Sequence, residues 1–286
     1  MKTLSWITVG FTYLLMVWGN LVSTTGSGLG CPDWPLCYGT VFPPLQKEVI
    51  FEWGHRWIAL ITAIFILITL MKTIKKPPQD SSKKHAFTIL VLLAIQILLG
   101  GITVFLQLSI LASTIHLLIA CLVLAGLISI ACSYSDFNYH LNYRALHLLS
   151  KTALVGLLIQ LALGGLVRHS HAGLACSQFP NCLESFFPIP LTFETSLAFI
   201  HRWWGIIMIG VFIHLPLKVF KNSYPLKKLS SFLLVLFILQ IILGVTNVLF
   251  GLHTHIRATH AALGYALWGL LFYFSLKIGA LHKWFI

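Results

Sequence analysis

The sequence predicts an all-α integral membrane protein of eight transmembrane helices, arranged as two tandem four-helix bundles. Of the 286 residues, 58% are hydrophobic and only 9% are charged, whereas a soluble domain carries about 25% charged residues. Eight apolar stretches are long enough for a bilayer span, which needs about 20 mostly apolar residues. The second half of the chain also repeats the pattern of the first half.

The eight predicted spans take up most of the chain, so we expect no separate soluble domain. In order, they cover residues 4–22, 50–71, 86–106, 110–132, 148–168, 196–216, 229–250 and 258–279. The first span follows Lys2, as in a secretory signal peptide, but no small-residue cleavage site comes after it. Because this span also has a counterpart later in the chain, we expect it to belong to the fold.

The internal repeat predicts how the two halves are oriented. The segment Gln96–Gly100 corresponds to Gln240–Gly244, for example. Four helices per half is an even number, so both halves enter the membrane in the same direction. We therefore predict an N-terminal unit (1–147) and a C-terminal unit (148–286), related by a pseudo-two-fold axis along the membrane normal.

The basic residues predict the topology. The formal net charge is +12, but the basic side chains do not form one patch, which argues against a nucleic-acid partner. Most of the 19 lie in alternate loops, so the positive-inside rule places both termini in the cytoplasm. We expect a multi-pass protein of the cell membrane whose two long loops lie on the extracytoplasmic side.

Four of the 13 histidines stand out because each lies in the outer third of an even-numbered helix. These helices run in the same direction, so the imidazoles lie at similar depth, and we expect one ligand pair per half: His55 with His116, and His201 with His260. Imidazole binds zinc, copper and haem iron. Zinc or copper would need further ligands at this depth, whereas two axial histidines inside a four-helix bundle suit haem.

One carboxylate distinguishes the two halves. Glu52 precedes His55 by three residues, and the corresponding residue of the second half is Ala198. A charged group at the mouth of a membrane helix is costly unless it has a partner or a task. Two interpretations stay open: a catalytic carboxylate, or a helix-surface ion pair with Arg56.

Three arginines lie next to the predicted ligands. Arg56 and Arg202 each follow a histidine directly, and Arg257 precedes His260 by three residues. Because guanidinium groups bind carboxylates in bidentate fashion, these side chains are candidates for contacts to haem propionates. Interfacial snorkelling is the alternative.

The long outer loops carry two cysteine pairs with the same C-x5-C spacing, Cys31 with Cys37 and Cys176 with Cys182. The outer side of a membrane is oxidising, so we predict a disulfide in each loop. Each disulfide is either a structural staple over a ligand pocket or a partner in thiol–disulfide exchange.

Together these features resemble the haem A synthase family, in the form with cysteine pairs in both long outer loops. The resemblance covers essentially the whole chain and includes Glu-x-x-His-Arg at 52–56 and His-Arg-Trp at 201–203. It implies an oxidoreductase that converts the C8 methyl group of haem O to a formyl group, giving haem A for terminal oxidases. It also implies a haem O-making farnesyltransferase and a terminal oxidase as partners, beside haem O and membrane lipid.

The resemblance implies different roles for the two halves. The N-terminal histidine pair would hold the substrate haem, with Glu52 as catalytic carboxylate, and the C-terminal pair would hold a haem b cofactor. One departure is visible: where the family often has an arginine after helix one, this chain has Ser23, while Arg168 occupies the equivalent place in the second half.

Two other protein classes fit the sequence less well. A di-haem b-type cytochrome that only relays electrons gives no reason for a carboxylate beside one ligand and Ala198 beside the other. A transporter with parallel repeats would place its polar residues near the membrane midplane, whereas here they lie toward the outer end.

Overall fold

The computed structural model describes residues 1–78, 80–135, 144–187, 192–221 and 226–281, and this part of the chain is helical. It contains eight α-helices: α1 (Lys2–Thr24), α2 (Lys47–Lys75), α3 (Asp80–Phe105), α4 (Ile110–Ser133), α5 (Arg144–His169), α6 (Phe193–Lys221), α7 (Lys227–Leu249) and α8 (Thr254–Lys277). The described residues contain no β-strand beyond two isolated bridges. The predicted all-α class with eight helices is confirmed, and the pseudo-two-fold axis stays a prediction.

Seven of the eight helices are long and apolar enough to cross a membrane, so the protein is a multi-pass membrane protein. The eighth is α8, whose first turns carry several polar side chains from Thr254 to His260. Half of the residues of α8 are nevertheless buried, including the aromatic side chains of Tyr265 and Trp268. Its inner part therefore has the character of a core helix, where outer and inner denote the ends of a bundle nearer to and farther from its long loop.

The chain forms two compact units, Met1–His140 with Leu281–Ile286, and Leu141–Ala280. In the first unit, α1 packs against α2 and α4, and α3 also packs against α2 and α4. In the second unit, α5 packs against α6 and α8, and α7 packs against the same two helices. Each unit is thus a four-helix bundle in which the two histidine-bearing helices are separated by the other two.

Aliphatic side chains fill much of the inner half of the first bundle. Ile66 and Leu70 of α2 pack with Ile89 of α3 and Leu127 of α4, and each is at most 2% exposed. Inside a membrane such packing stabilises the bundle through van der Waals contact between the helices rather than through removal of apolar surface from water. This packing fixes the helix rotations that orient the histidines nearer the outer end.

The short connections between α3 and α4 and between α7 and α8 pack against the long loops in the same way in both units. Leu108 and Leu252 adopt left-handed backbone conformations with φ of 61° and 60°. Their side chains fill the space beside Gly28 and Gly173, where an added Cβ would lie only 3.0 Å and 2.7 Å from the nearest leucine atom. A side chain at either glycine would therefore force the leucine side chain of the short connection to move.

Candidate functional site

The structure brings together the members of each predicted histidine pair. In the first unit, His55 of α2 and His116 of α4 are close enough to interact electrostatically. His201 of α6 and His260 of α8 do the same in the second unit. Each bundle therefore holds one imidazole pair contributed by two helices that do not neighbour one another.

Every one of these imidazoles lies against a glycine of the preceding helix. A Cβ built at the glycine would lie at the following distance from the Cε1 atom of the histidine: 2.8 Å for Gly19 and His55, 3.6 Å for Gly100 and His116, 3.2 Å for Gly164 and His201, and 3.3 Å for Gly244 and His260. The absence of a side chain at these positions is what gives the rings their room. None of these four glycines is among the predicted site residues, although they recur at equivalent places in the two halves.

The imidazole pairs fit a haem iron. In all four rings the Nδ1 atom is buried without a hydrogen-bond partner, while the residues as a whole are only half-buried, so the rings border accessible space. Among the residues that the structure describes, no group of three or more His, Cys, Asp or Glu side chains forms a metal cluster. Haem iron requires only two axial protein ligands, and two imidazoles facing an open space supply that donor set.

A glutamine lies beside one histidine of each pair. The Nε2 atom of Gln96 is 3.2 Å from Nε2 of His116, and that of Gln240 is 3.4 Å from Nε2 of His260. The carbonyl oxygens of both glutamines are buried without a partner. An iron atom bound at either Nε2 would replace this contact, so the amides belong to the immediate surroundings of the site.

Glu52 is buried at 5% exposure, and both of its carboxylate oxygens have partners. Oε2 accepts a hydrogen bond of 2.9 Å from the backbone N–H of Cys31. Oε1 forms a 2.6 Å ion pair with Nη2 of Arg56. The carboxylate thus joins the first turns of α2 to the disulfide loop, and the ion pair that one of the two interpretations expected is present.

The guanidinium of Arg56 binds backbone carbonyls of the first long loop. Its Nη1 atom donates to the backbone carbonyls of Asp33, at 2.7 Å, and Leu36. With Nη2 on Glu52, one arginine therefore connects the carboxylate to both ends of the short segment between the cysteines. Such charge-assisted bonds are stronger than neutral ones, so they stabilise the loop conformation.

Arg202 makes an equivalent set of contacts in the second unit. Nη1 donates to the carbonyls of Gln178 at 2.8 Å and Asn181 at 2.7 Å. Nη2 donates to the carbonyl of Cys176 at 2.9 Å, in the absence of a carboxylate at Ala198. For Arg56 and Arg202 alike, the structure shows contacts to loop carbonyls, and the predicted contact to propionates stays a prediction.

The second unit carries two cations that the first unit lacks. Arg168 and Arg257 lie close enough to interact electrostatically. Arg257 is one helical turn outward of His260, and Arg168 is one turn outward of Gly164, which contacts His201. This pair therefore lies just outward of the second imidazole pair, where an anionic group would be favoured.

Both long loops contain the predicted disulfides. The Cα atoms of Cys31 and Cys37 are 4.8 Å apart, and those of Cys176 and Cys182 are 4.3 Å apart. Each disulfide packs on the first turns of α2 or α6. The loops therefore cover the outer ends of the bundles, directly above the imidazoles.

The first loop is further ordered by Asp33, whose carboxylate accepts the backbone N–H groups of Tyr38 at 2.6 Å and Gly39 at 2.8 Å. The bond from Gly39 is the main cause that holds the pKa of Asp33 below its usual value. The indole ring of Trp34 extends to α3, where a Cβ at Gly101 would lie 3.0 Å from it. Because Gly101 adjoins the glycine that contacts His116, the loop reaches the edge of the first site.

The fold and site define a class of protein, a multi-pass membrane protein with one imidazole pair inside each of two four-helix units. Within that class, the chain belongs to the COX15-CtaA family of cytochrome oxidase assembly proteins, which it matches over residues 2–272. The resemblance noted from the motifs is confirmed.

Relatives of nearly the same length carry the name heme A synthase. The protein of Bacillus licheniformis is 28% identical over 296 residues, covering 99% of this chain and 97% of the relative. The protein of Bacillus pumilus is 29% identical, covering 97% and 95%. That of Shouchella clausii is 30% identical over 264 residues, covering 87% of each.

Proposed function

We propose that this protein is a haem A synthase, a membrane-bound oxidoreductase that converts the C8 methyl group of haem O to a formyl group. Family membership and the full-length similarity to proteins of that name support the assignment. The observation that carries it is an asymmetry: both units hold an imidazole pair, and among the residues that the structure describes only the first unit has a buried carboxylate beside its pair.

In this proposal the two units bind different haems. His55 and His116 hold the substrate haem in the first unit, and His201 and His260 hold a haem b cofactor in the second. A haem bound in the second unit supplies a redox-active iron. The cations at Arg168 and Arg257 favour the anionic propionates at that haem's outer edge.

Glu52 is the proposed catalytic carboxylate. Oxidation of a ring methyl group removes protons and electrons from a carbon at the edge of the macrocycle, and a carboxylate at that edge accepts a proton. The Cys31 amide and the Arg56 guanidinium hold the side chain in one position. Positioning of this kind reduces the reorganisation that the reaction requires.

The variant Glu52→Gln tests this role because it keeps the shape of the side chain and removes its charge. We expect a folded protein that keeps both haems, accumulates haem O or a hydroxylated intermediate, and makes little haem A. Glu48→Gln is the matched control, since Glu48 is an exposed carboxylate in the first turn of the same helix. If Glu52→Gln makes nearly as much haem A per folded protein as wild type, Glu52 is not catalytic and serves only as an ion-pair partner of Arg56.

A di-haem cytochrome that only relays electrons is the second candidate, because two duplicated imidazole pairs would suffice for it. Haem extraction and chromatography of the purified protein separate the two candidates. Haem O or haem A beside haem B supports the synthase, whereas haem B alone supports the relay.

We also propose that the protein lies in the cell membrane with both termini in the cytoplasm and both loop disulfides outside. Four lysines support this topology through the positive-inside rule: Lys75 and Lys76 at the end of α2, and Lys83 and Lys84 at the start of α3. A farnesyltransferase that makes haem O and a terminal oxidase that receives haem A are the partners that this function requires.

A further inference from the structure

Thr62 of α2 is a buried hydroxyl without a partner. Its side chain is 0% exposed, and its Oγ1 atom forms no hydrogen bond. The other seven buried threonines of the described residues each form a side-chain hydrogen bond: Thr8, Thr12, Thr24, Thr69, Thr73, Thr114 and Thr195. A hydroxyl inside a membrane helix ordinarily bonds to a backbone carbonyl three or four residues back, so Thr62 departs from the usual packing role.

The position of Thr62 relates it to the first imidazole pair. It lies seven residues after His55, which is about 10 Å further inward along α2 and on nearly the same helix face. Helix α1 runs the other way, and its Gly19 contacts His55. Seven residues inward of Gly19 is Thr12, which is 4% exposed and whose hydroxyl hydrogen goes to the carbonyl of Thr8.

About two helical turns inward of His55, the first unit therefore has two buried hydroxyl groups, those of Thr12 and Thr62. We call this depth the inner level. The Thr12 oxygen donates its hydrogen to a carbonyl and keeps its lone pairs available as acceptors.

The second unit is apolar at the same level. The residues that correspond to Thr12 and Thr62 are Leu157 and Met208, each 3% exposed. The sulfur and methyl group of Met208 pack against Gly156 of α5. The space at this depth of the second unit is therefore filled by apolar groups. The two units thus share the glycine-backed imidazoles and differ in the polarity of the level beneath them.

Haem O and haem B also differ in polarity, at one substituent of the ring. Haem O carries, in place of one vinyl group of haem B, a farnesyl chain with a hydroxyl group on the carbon joined to the ring. The charged propionates would favour the polar outer side, so the opposite ring edge, which bears the vinyl or hydroxyl-bearing chain, would be directed inward. A haem O hydroxyl buried there requires a hydrogen-bond partner, whereas a vinyl group requires none.

We propose that Thr62, together with Thr12, binds the side-chain hydroxyl group of haem O and so gives the first unit its preference for haem O over haem B. Leu157 and Met208 give the second unit the complementary preference for a vinyl-bearing haem. The inference rests on the proposed function, because it assigns the substrate to the first unit. Thr62 is then a specificity-determining residue that contacts the substrate away from the methyl group that reacts.

The test measures haem release rather than catalysis. Purified full-length protein is loaded with haem O or with haem B and mixed with excess apomyoglobin, and the haem that stays on the protein is followed by chromatography. We expect Thr62→Val to release haem O about tenfold faster than wild type, because the haem hydroxyl loses its buried partner, and to release haem B at an unchanged rate. Thr62→Ser, which keeps the hydroxyl, should behave as wild type, as should Thr88→Val, which removes an exposed hydroxyl of α3.

Release of haem O from Thr62→Val at the wild-type rate would overturn the inference, as would equal acceleration of haem O and haem B. If Thr62→Val does not fold, Thr12→Val is measured in the same way and decides by the same outcomes. A wild-type protein that retains haem B but no haem O would instead overturn the proposed function.

Discussion

The glycine behind His55 offers the sharpest perturbation of the first site. In Gly19→Ala the new Cβ would lie 2.8 Å from Cε1 of His55, whereas ordinary van der Waals contact begins at 3.4 Å. The imidazole must therefore retreat by about 0.6 Å, which exceeds the roughly 0.2 Å within which metal–ligand distances are held. Loss of a group that orients a metal ligand typically lowers affinity by about 10- to 100-fold, and we expect a loss of that size for haem in the first unit.

The assay is a haem titration of the purified protein, with the low-spin reduced-minus-oxidised spectrum as a second readout. Gly10→Ala is the matched control, because Gly10 lies on the same helix and an added Cβ there would meet nothing within 4 Å. Both variants gain about 1 kcal/mol of helix propensity, so a general loss of folding is not expected in either. Wild-type affinity and an unchanged spectrum in Gly19→Ala would refute the role of the glycine.

The same distances rank the other glycine variants. Gly164→Ala and Gly244→Ala place the Cβ at 3.2 Å and 3.3 Å from an imidazole, so each ring must move by only about 0.1–0.2 Å, and the second haem should be weakened mildly. Gly100→Ala, at 3.6 Å, should be nearly neutral. An order of effects other than Gly19, then the two second-unit glycines, then Gly100, would contradict a steric mechanism.

Two further predictions concern the second haem and the first loop. His201→Ala should remove one of two spectroscopically distinct low-spin haems and leave the other largely intact, and a protein whose haem spectrum is unchanged would show that the pairing is wrong. Because the pKa of Asp33 is lowered from 3.8, its carboxylate should stabilise the loop fully above that pH and lose this contribution only as the pH falls through the lower folded value. Hydrogen exchange should therefore show the Tyr38 and Gly39 amides protected near neutral pH and down to about pH 4. Asp33→Asn keeps only one acceptor oxygen, so at least one of the two amides should lose its protection at either pH, and equal protection of both amides in the variant would contradict the prediction.

The helices and the imidazole pairs were predictable because both follow from periodic features of the sequence. Apolar runs of sufficient length can only be spans, and the internal repeat places His55 with His201 and His116 with His260 at matching depth. The glycines behind the rings were visible in the same repeat, but a repeat does not state which ring lies against which helix. That depends on helix rotation, which the packed inner cores determine.

The loop contacts were not predictable. The sequence makes Arg56 and Arg202 candidates for haem propionates or for interfacial snorkelling, and the structure adds contacts from both to backbone carbonyls of the disulfide loops. Carbonyl directions in an irregular loop depend on individual backbone angles and leave no pattern in the sequence. The unpartnered hydroxyl of Thr62 is hidden for a related reason, since buried threonines with and without partners look alike in sequence.

The first cysteine of each loop meets its helix with opposite hydrogen-bond polarity. In the first unit the amide of Cys31 donates to Glu52, whereas in the second unit the carbonyl of Cys176 accepts from Arg202. A carboxylate introduced by Ala198→Glu would therefore compete with the Cys176 carbonyl for Nη2 of Arg202. We expect that converting one half into a working copy of the other would require exchange of the whole loop together with its helix turn, because the loop carbonyl and the new carboxylate would otherwise compete for the same nitrogen of Arg202.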